Sequence, residues 1–173
     1  MRSPSNKARD STALPAWTRG AKIRLAIFAL AVAFGTAGAA LATSGSGTVG
    51  APLAKGTITG KVNVNVGGIR LKLKRPTDAT FVTQTWDPGG YSGWHAHPGP
   101  VILVVSAGEL AIYDEHCRRR VLSAGQGFVE PVNEPMNVRN EGRVRAVAFF
   151  TVLTPRGDPP RVDAPNPRCN TIP

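Results

Sequence analysis

From Thr57 onward, apolar and polar positions alternate with a period of two. The alternation runs through Ile58, then Lys61-Val62-Asn63-Val64-Asn65-Val66, then Ile69-Arg70-Leu71-Lys72-Leu73-Lys74. Successive side chains of a strand face opposite sides, so this is the pattern of half-buried strands. Gly67-Gly68 between the last two runs predicts a tight hairpin turn. Further strands are expected over Thr80–Asp87, Gly93–His97, Val101–Ser106, Glu109–Tyr113, Arg119–Leu122, Gly127–Val129, Met136–Asn140 and Val144–Leu153. Pro, Gly or Asn residues separate them. About ten short strands, with turn signals roughly every 8–12 residues, predict an all-β sandwich or barrel.

One stretch departs from this pattern. Leu25 to Ala42 carries no charge, follows Arg19, Lys22 and Arg24, and ends in Ala40-Leu41-Ala42. A basic flank, an apolar run and a small-residue cleavage site are the parts of a signal peptide. An uncharged run of about 18 residues is also just long enough to span a bilayer. Two outcomes stay open: secretion after cleavage following Ala42, or anchoring in the membrane through a helix over residues 25–42. In both, the basic flank places residues 1–24 in the cytoplasm and the rest of the chain outside. The expected order is then a Gly/Ser-rich linker over residues 43–56, a β domain over 57–154 and a Pro-rich tail over 155–173.

The chain of 173 residues has 19 Gly and 15 Pro, which suits a turn-rich β fold better than a helical bundle. Its net charge of +10 divides evenly. Residues 1–42 hold six Lys and Arg against one Asp, and the remainder holds fifteen against ten acidic residues. Half of the excess therefore belongs to the export segment. The basic clusters that remain, Arg70-Lys72-Lys74-Arg75 and Arg118-Arg119-Arg120, accompany no nucleic-acid-binding motif and read as a solvated surface. Two cysteines, Cys117 and Cys169, predict one disulfide in an exported domain. It would close a loop of about 50 residues and contribute about 4 kcal/mol by chain entropy. Such a tie would hold the Pro-rich tail, which cannot form regular structure of its own.

The candidate chemistry lies in Gly89–Gly108. His95 and His97 stand two apart, so on a strand both imidazoles face one side and can meet one metal or ligand. Gly89, His95, His97, Val101 and Gly108 follow the spacing G-x5-H-x-H-x3-E-x6-G, with Val101 at the Glu position. Gly125, Pro131, Asn133, Met136 and Asn140 follow G-x5-P-x-G-x2-H-x3-N, with Asn133 at the inner Gly and Met136 at the His. In these two motifs the chain resembles a single-domain cupin of the type-2 family, a jelly-roll barrel. The resemblance implies a one-barrel domain, able to pair as a homodimer, with His95 and His97 as ligands of a divalent metal.

Val101 cannot ligate, and Met136 offers only a thioether, a soft donor suited to Cu(I). With half the ligand set replaced, the sequence leans towards a binding protein rather than an enzyme. Three readings follow. The first is an exported cupin that binds a small molecule, a divalent metal weakly, or both. The second is a metal-dependent oxygenase or isomerase with Glu134 as the third ligand. The third is an envelope copper-binding protein using His95, His97 and Met136. Glu130, just before Pro131, is expected at the rim, Trp94 in packing, and His116 in a solvated turn.

Overall fold

The computed structural model describes residues 44–169, and the expected N-terminal helix lies outside them. Twelve strands follow in chain order. They are β1 (Ser46–Ile58), β2 (Val62–Val66), β3 (Ile69–Leu73), β4 (Thr77–Tyr91), β5 (His95–Ala96) and β6 (Val101–Ala107). The second half holds β7 (Glu109–Asp114), β8 (Arg119–Ser123), β9 (Gly127–Glu130), β10 (Met136–Arg139), β11 (Ala146–Pro155) and β12 (Val162–Asp163). Among the described residues there is no helix long and apolar enough to cross a membrane.

Ten of these strands form a nearly closed all-β barrel of two leaves, and β2 and β3 form a separate two-stranded sheet. One leaf runs β1-β4-β11-β6-β9, the other β8-β7-β10-β5-β12, and the pairings between neighbours are antiparallel. Strand β4 belongs to both. Thr77–Trp86 pairs with β11, whereas Tyr91 pairs with Arg139 of β10. The chain turns from one leaf to the other at Gly89, whose φ of +78° lies in the left-handed region that glycine enters without a Cβ penalty. This is the first glycine of the His-x-His motif.

Inward positions of both leaves build the core around Trp86, Leu103, Val105, Leu110, Ile112 and Val138. The alternation in β6, with Val101, Leu103 and Val105 buried and Ile102 and Val104 exposed, is the period read from the sequence. Gly67-Gly68 makes the expected hairpin between β2 and β3, with Val62 opposite Leu73 and Val66 opposite Ile69.

Three expectations are corrected. Residues expected to form a linker up to 56 are instead strand β1, paired with β4 along most of its length. Its side chains are almost all exposed, so it shows no apolar alternation; backbone hydrogen bonds to β4 hold it. Strands β2 and β3, expected to be half-buried, are almost wholly exposed; the Pro-rich tail contributes β12, which finds its partner in β5.

Candidate metal centre

His95 lies on β5 and His97 just beyond it, and their placement is set by glycines on either side. Gly93 has φ +71° and turns the chain into the pair. Gly99 passes so close to β11 that an added Cβ would sit 1.7 Å from the Leu153 carbonyl oxygen, so only glycine fits. Both histidines are buried, and their rings meet edge-on with centroids 5.0 Å apart.

Each ring is oriented through Nδ1. His95 Nδ1 lies 2.9 Å from the Gly93 carbonyl oxygen, and His97 Nδ1 lies 2.5 Å from that of Pro160. A carbonyl only accepts, so the N–H is on Nδ1 and the Nε2 lone pair points away. Burial pushes the His95 imidazolium down to about 3, with the charges of Arg161 and His97 adding to the effect. His95 is therefore neutral at any physiological pH and able to ligate.

The third group is Glu130, at the end of β9. Its Oε2 lies 3.1 Å from His97 Nε2, and donor atoms of His95, His97 and Glu130 all fall within 4.8 Å of one another. The carboxylate is 4% exposed rather than at the rim, and Oε2 accepts no hydrogen bond. The two facing atoms, an imidazole nitrogen and a carboxylate oxygen 3.1 Å apart, can share a proton or a metal ion. A proton on Nε2 would make an ion pair of His97 and Glu130 alone. A metal ion would engage His95 Nε2 as well.

The position of Glu130 follows from strand register. Val101 of β6 pairs directly with Glu130 of β9. Opposed residues of an antiparallel pair project from the same face. The carboxylate absent at position 101 therefore enters from the neighbouring strand. Asn133, at the motif's inner glycine, has φ +60°, a conformation Asn tolerates better than most residues. Its N–H donates to the His97 carbonyl at 2.8 Å, tying the loop after Glu130 to the histidine.

The three groups line a cavity of about 100 Å³ whose other walls include Gln84, Trp86, Leu103, Phe150 and Arg161. Glu134 and Met136 border a different cleft, although Met136 pairs in register with His95. This larger cleft, of about 420 Å³, is also lined by Asp114, Arg118 and Phe128, and neither histidine borders it. The carboxylate that joins His95 and His97 is Glu130. Trp94 is fully buried beside Ala164 and Cys169, and His116 is exposed, both as expected. Cys117 and Cys169 form the disulfide, and this pairing fits an oxidising, extracytoplasmic compartment.

The family profile of the cupin domain matches residues 82–153. The chain carries a cupin-type domain. Solved structures similar to it include a double-stranded β-helix protein from Klebsiella pneumoniae, 19% identical, covering 50% of this chain and 70% of that one with a TM-score of 0.45. A cupin barrel protein from Leptotrichia buccalis is 17% identical over 62% of this chain and 41% of its own, also with a TM-score of 0.45. A recombinant oxalate oxidase is 25% identical over 49% of this chain and 45% of its own, with a TM-score of 0.44. This cupin-containing chain thus spans less than half the length of that oxidase chain. No curated protein matches it.

Proposed function

We propose that this protein is an extracytoplasmic cupin that holds one divalent first-row metal ion through His95 Nε2, His97 Nε2 and the Glu130 carboxylate. The ion would present a small molecule bound in the adjoining cavity. The observation that carries this reading is the buried Glu130 Oε2 without a hydrogen-bond partner, facing His97 Nε2. Two imidazoles fixed through their Nδ1–H groups and one carboxylate form a hard-to-borderline donor set suited to Mn(II), Fe(II) or Zn(II). When bound, such an ion acts as a Lewis acid towards an oxygen donor of the ligand. The cavity admits a compact ligand only, since about 100 Å³ is room for a handful of non-hydrogen atoms. Export, by cleavage after Ala42 or anchoring through residues 25–42, is supported by the uncharged run with its basic flank and by the disulfide.

The test is metal analysis and Mn(II) titration of protein recovered from its native compartment, alongside His95→Ala, His97→Ala and Glu130→Gln. The parent should carry one ion per chain and no free thiol. Each variant should bind at least about 100-fold more weakly, since even outer-shell changes cost 10–100-fold. A parent that takes up no ion, or an unweakened Glu130→Gln, would contradict the metal assignment. Recovery from the cytosol with both thiols free would contradict export.

A further inference from the structure

The segment that follows the barrel lies along the two histidines residue by residue. Pro160 accepts the His97 Nδ1 hydrogen bond. Val162 pairs with Ala96 and Asp163 with His95. The Ala164 N–H donates to the Trp94 carbonyl at 2.9 Å, and Arg161 Nη2 donates to the Ser92 carbonyl at 2.8 Å. Trp94, His95, Ala96 and His97 thus each have a partner in residues 160–164.

Little within the segment itself keeps it there. Pro155, Pro159, Pro160, Pro165 and Pro167 have no N–H to give, and its strand is two residues long. Its far end is held covalently. Cys169 is bonded to Cys117, in the turn between β7 and β8. Asp114 knits that turn together, accepting from the N–H groups of His116 and Arg118 and from Arg118 Nε. Around the bond, Ala164 and Cys169 bury Trp94, with Tyr113 packed alongside.

We infer that the Pro160 carbonyl is the positioning group of His97 and that the Cys117–Cys169 disulfide is the condition for it, so that metal affinity depends on the redox state of this bond. The inference rests on the metal reading above. Reduction by a dithiol breaks one S–S bond: two electrons and two protons give two cysteine thiols while the dithiol closes to its own disulfide. The segment then loses its covalent anchor, Pro160 leaves Nδ1, and His97 is free to rotate and to change tautomer. Loss of such an orienting partner lowers metal affinity about 10–100-fold.

The experiment compares the disulfide-bonded parent with the double variant Cys117→Ser, Cys169→Ser, which has no thiol to capture the ion. Mn(II) binding is read from loss of the free-ion electron paramagnetic resonance signal. Hydrogen exchange by mass spectrometry is read separately over residues 155–169 and over β4 and β11. The double variant should bind Mn(II) about 10–100-fold more weakly, exchange faster over 155–169, and stay protected in β4 and β11. Should it unfold throughout, Ala164→Pro in the disulfide-bonded chain takes its place with the same expectation, since it deletes the N–H that reaches Trp94. Equal affinity of parent and variant, with 155–169 released, overturns the inference while leaving the metal site standing. A parent that binds no Mn(II) overturns both.

Discussion

Asn140, 1% exposed just beyond β10, serves three backbone groups at once. Its Nδ2 donates to the carbonyls of Trp86 at 2.9 Å and Val144 at 2.7 Å, and its Oδ1 accepts from the Gly142 N–H at 2.9 Å. The side chain thereby fixes the turn between β10 and β11 and binds it to β4. Replacing it with Ala would strand buried backbone groups, each at a cost of about 1–3 kcal/mol. Asn140→Ala should lower the unfolding free energy by about 2–4 kcal/mol in urea denaturation with little change in slope. A loss below about 0.5 kcal/mol would mean that water replaces all three bonds. Asn140 and the His pair were legible as members of spaced motifs. Glu130 was not, because a carboxylate beside a proline carries no local mark of burial. The available signal was its place at the end of Gly127-Phe128-Val129, the one acidic group in an otherwise uncharged strand.

At the scale of elements, register decides what a linear motif cannot. Strands β6 and β9 are neighbours in the barrel but separated in sequence by β7 and β8. That Val101 and Glu130 share a rung therefore depends on long-range pairing. Reading along the chain, position 101 is an absent ligand; reading across the ladder, the carboxylate has moved one strand over. The paired change Val101→Glu with Glu130→Val should return it to β6 and preserve Mn(II) binding within about 10-fold, whereas Glu130→Val alone should abolish it. Calorimetric titration distinguishes them, and a double variant as weak as the single one would show that the two positions do not reach the same point. The same dependence on pairing explains β1. Its exposed, Gly-rich sequence lacks the alternation that marks β6, and only the free edge of β4 makes it a strand.

Across the whole molecule, one carboxylate joins chain segments far apart in sequence. Asp78 accepts from Thr57 Oγ1 at 2.7 Å, near the end of β1, and from the Gly157 N–H at 3.3 Å, where the Pro-rich segment begins. Lys55 lies 3.2 Å away. These contacts, the Thr57 hydrogen bond first, hold the Asp78 carboxyl below its ordinary 3.8. A carboxyl depressed in the folded state stabilises above its unfolded pKa and loses that contribution as pH falls through the folded value. The melting temperature of the parent should therefore exceed that of Asp78→Asn above about pH 4, and the gap should close below it. A gap unchanged down to pH 2.5 would remove the carboxylate from acid stability. At this scale the barrel was legible, since period two survives in strands such as β6 and turn signals separate the strands. The backing of the site by residues 160–164 was not, because prolines and a two-residue strand leave no periodicity to read.

That backing has a consequence for the order of biosynthesis. A ribosome releases His95, His97 and Glu130 well before Pro160, and Cys169 later still. A nascent chain that has folded its barrel strands therefore still lacks the carbonyl that orients His97. On the proposed reading, full metal affinity would come only after translation has passed residue 169 and an oxidant has joined it to Cys117. The ion acquired would then be set by the compartment in which oxidation happens.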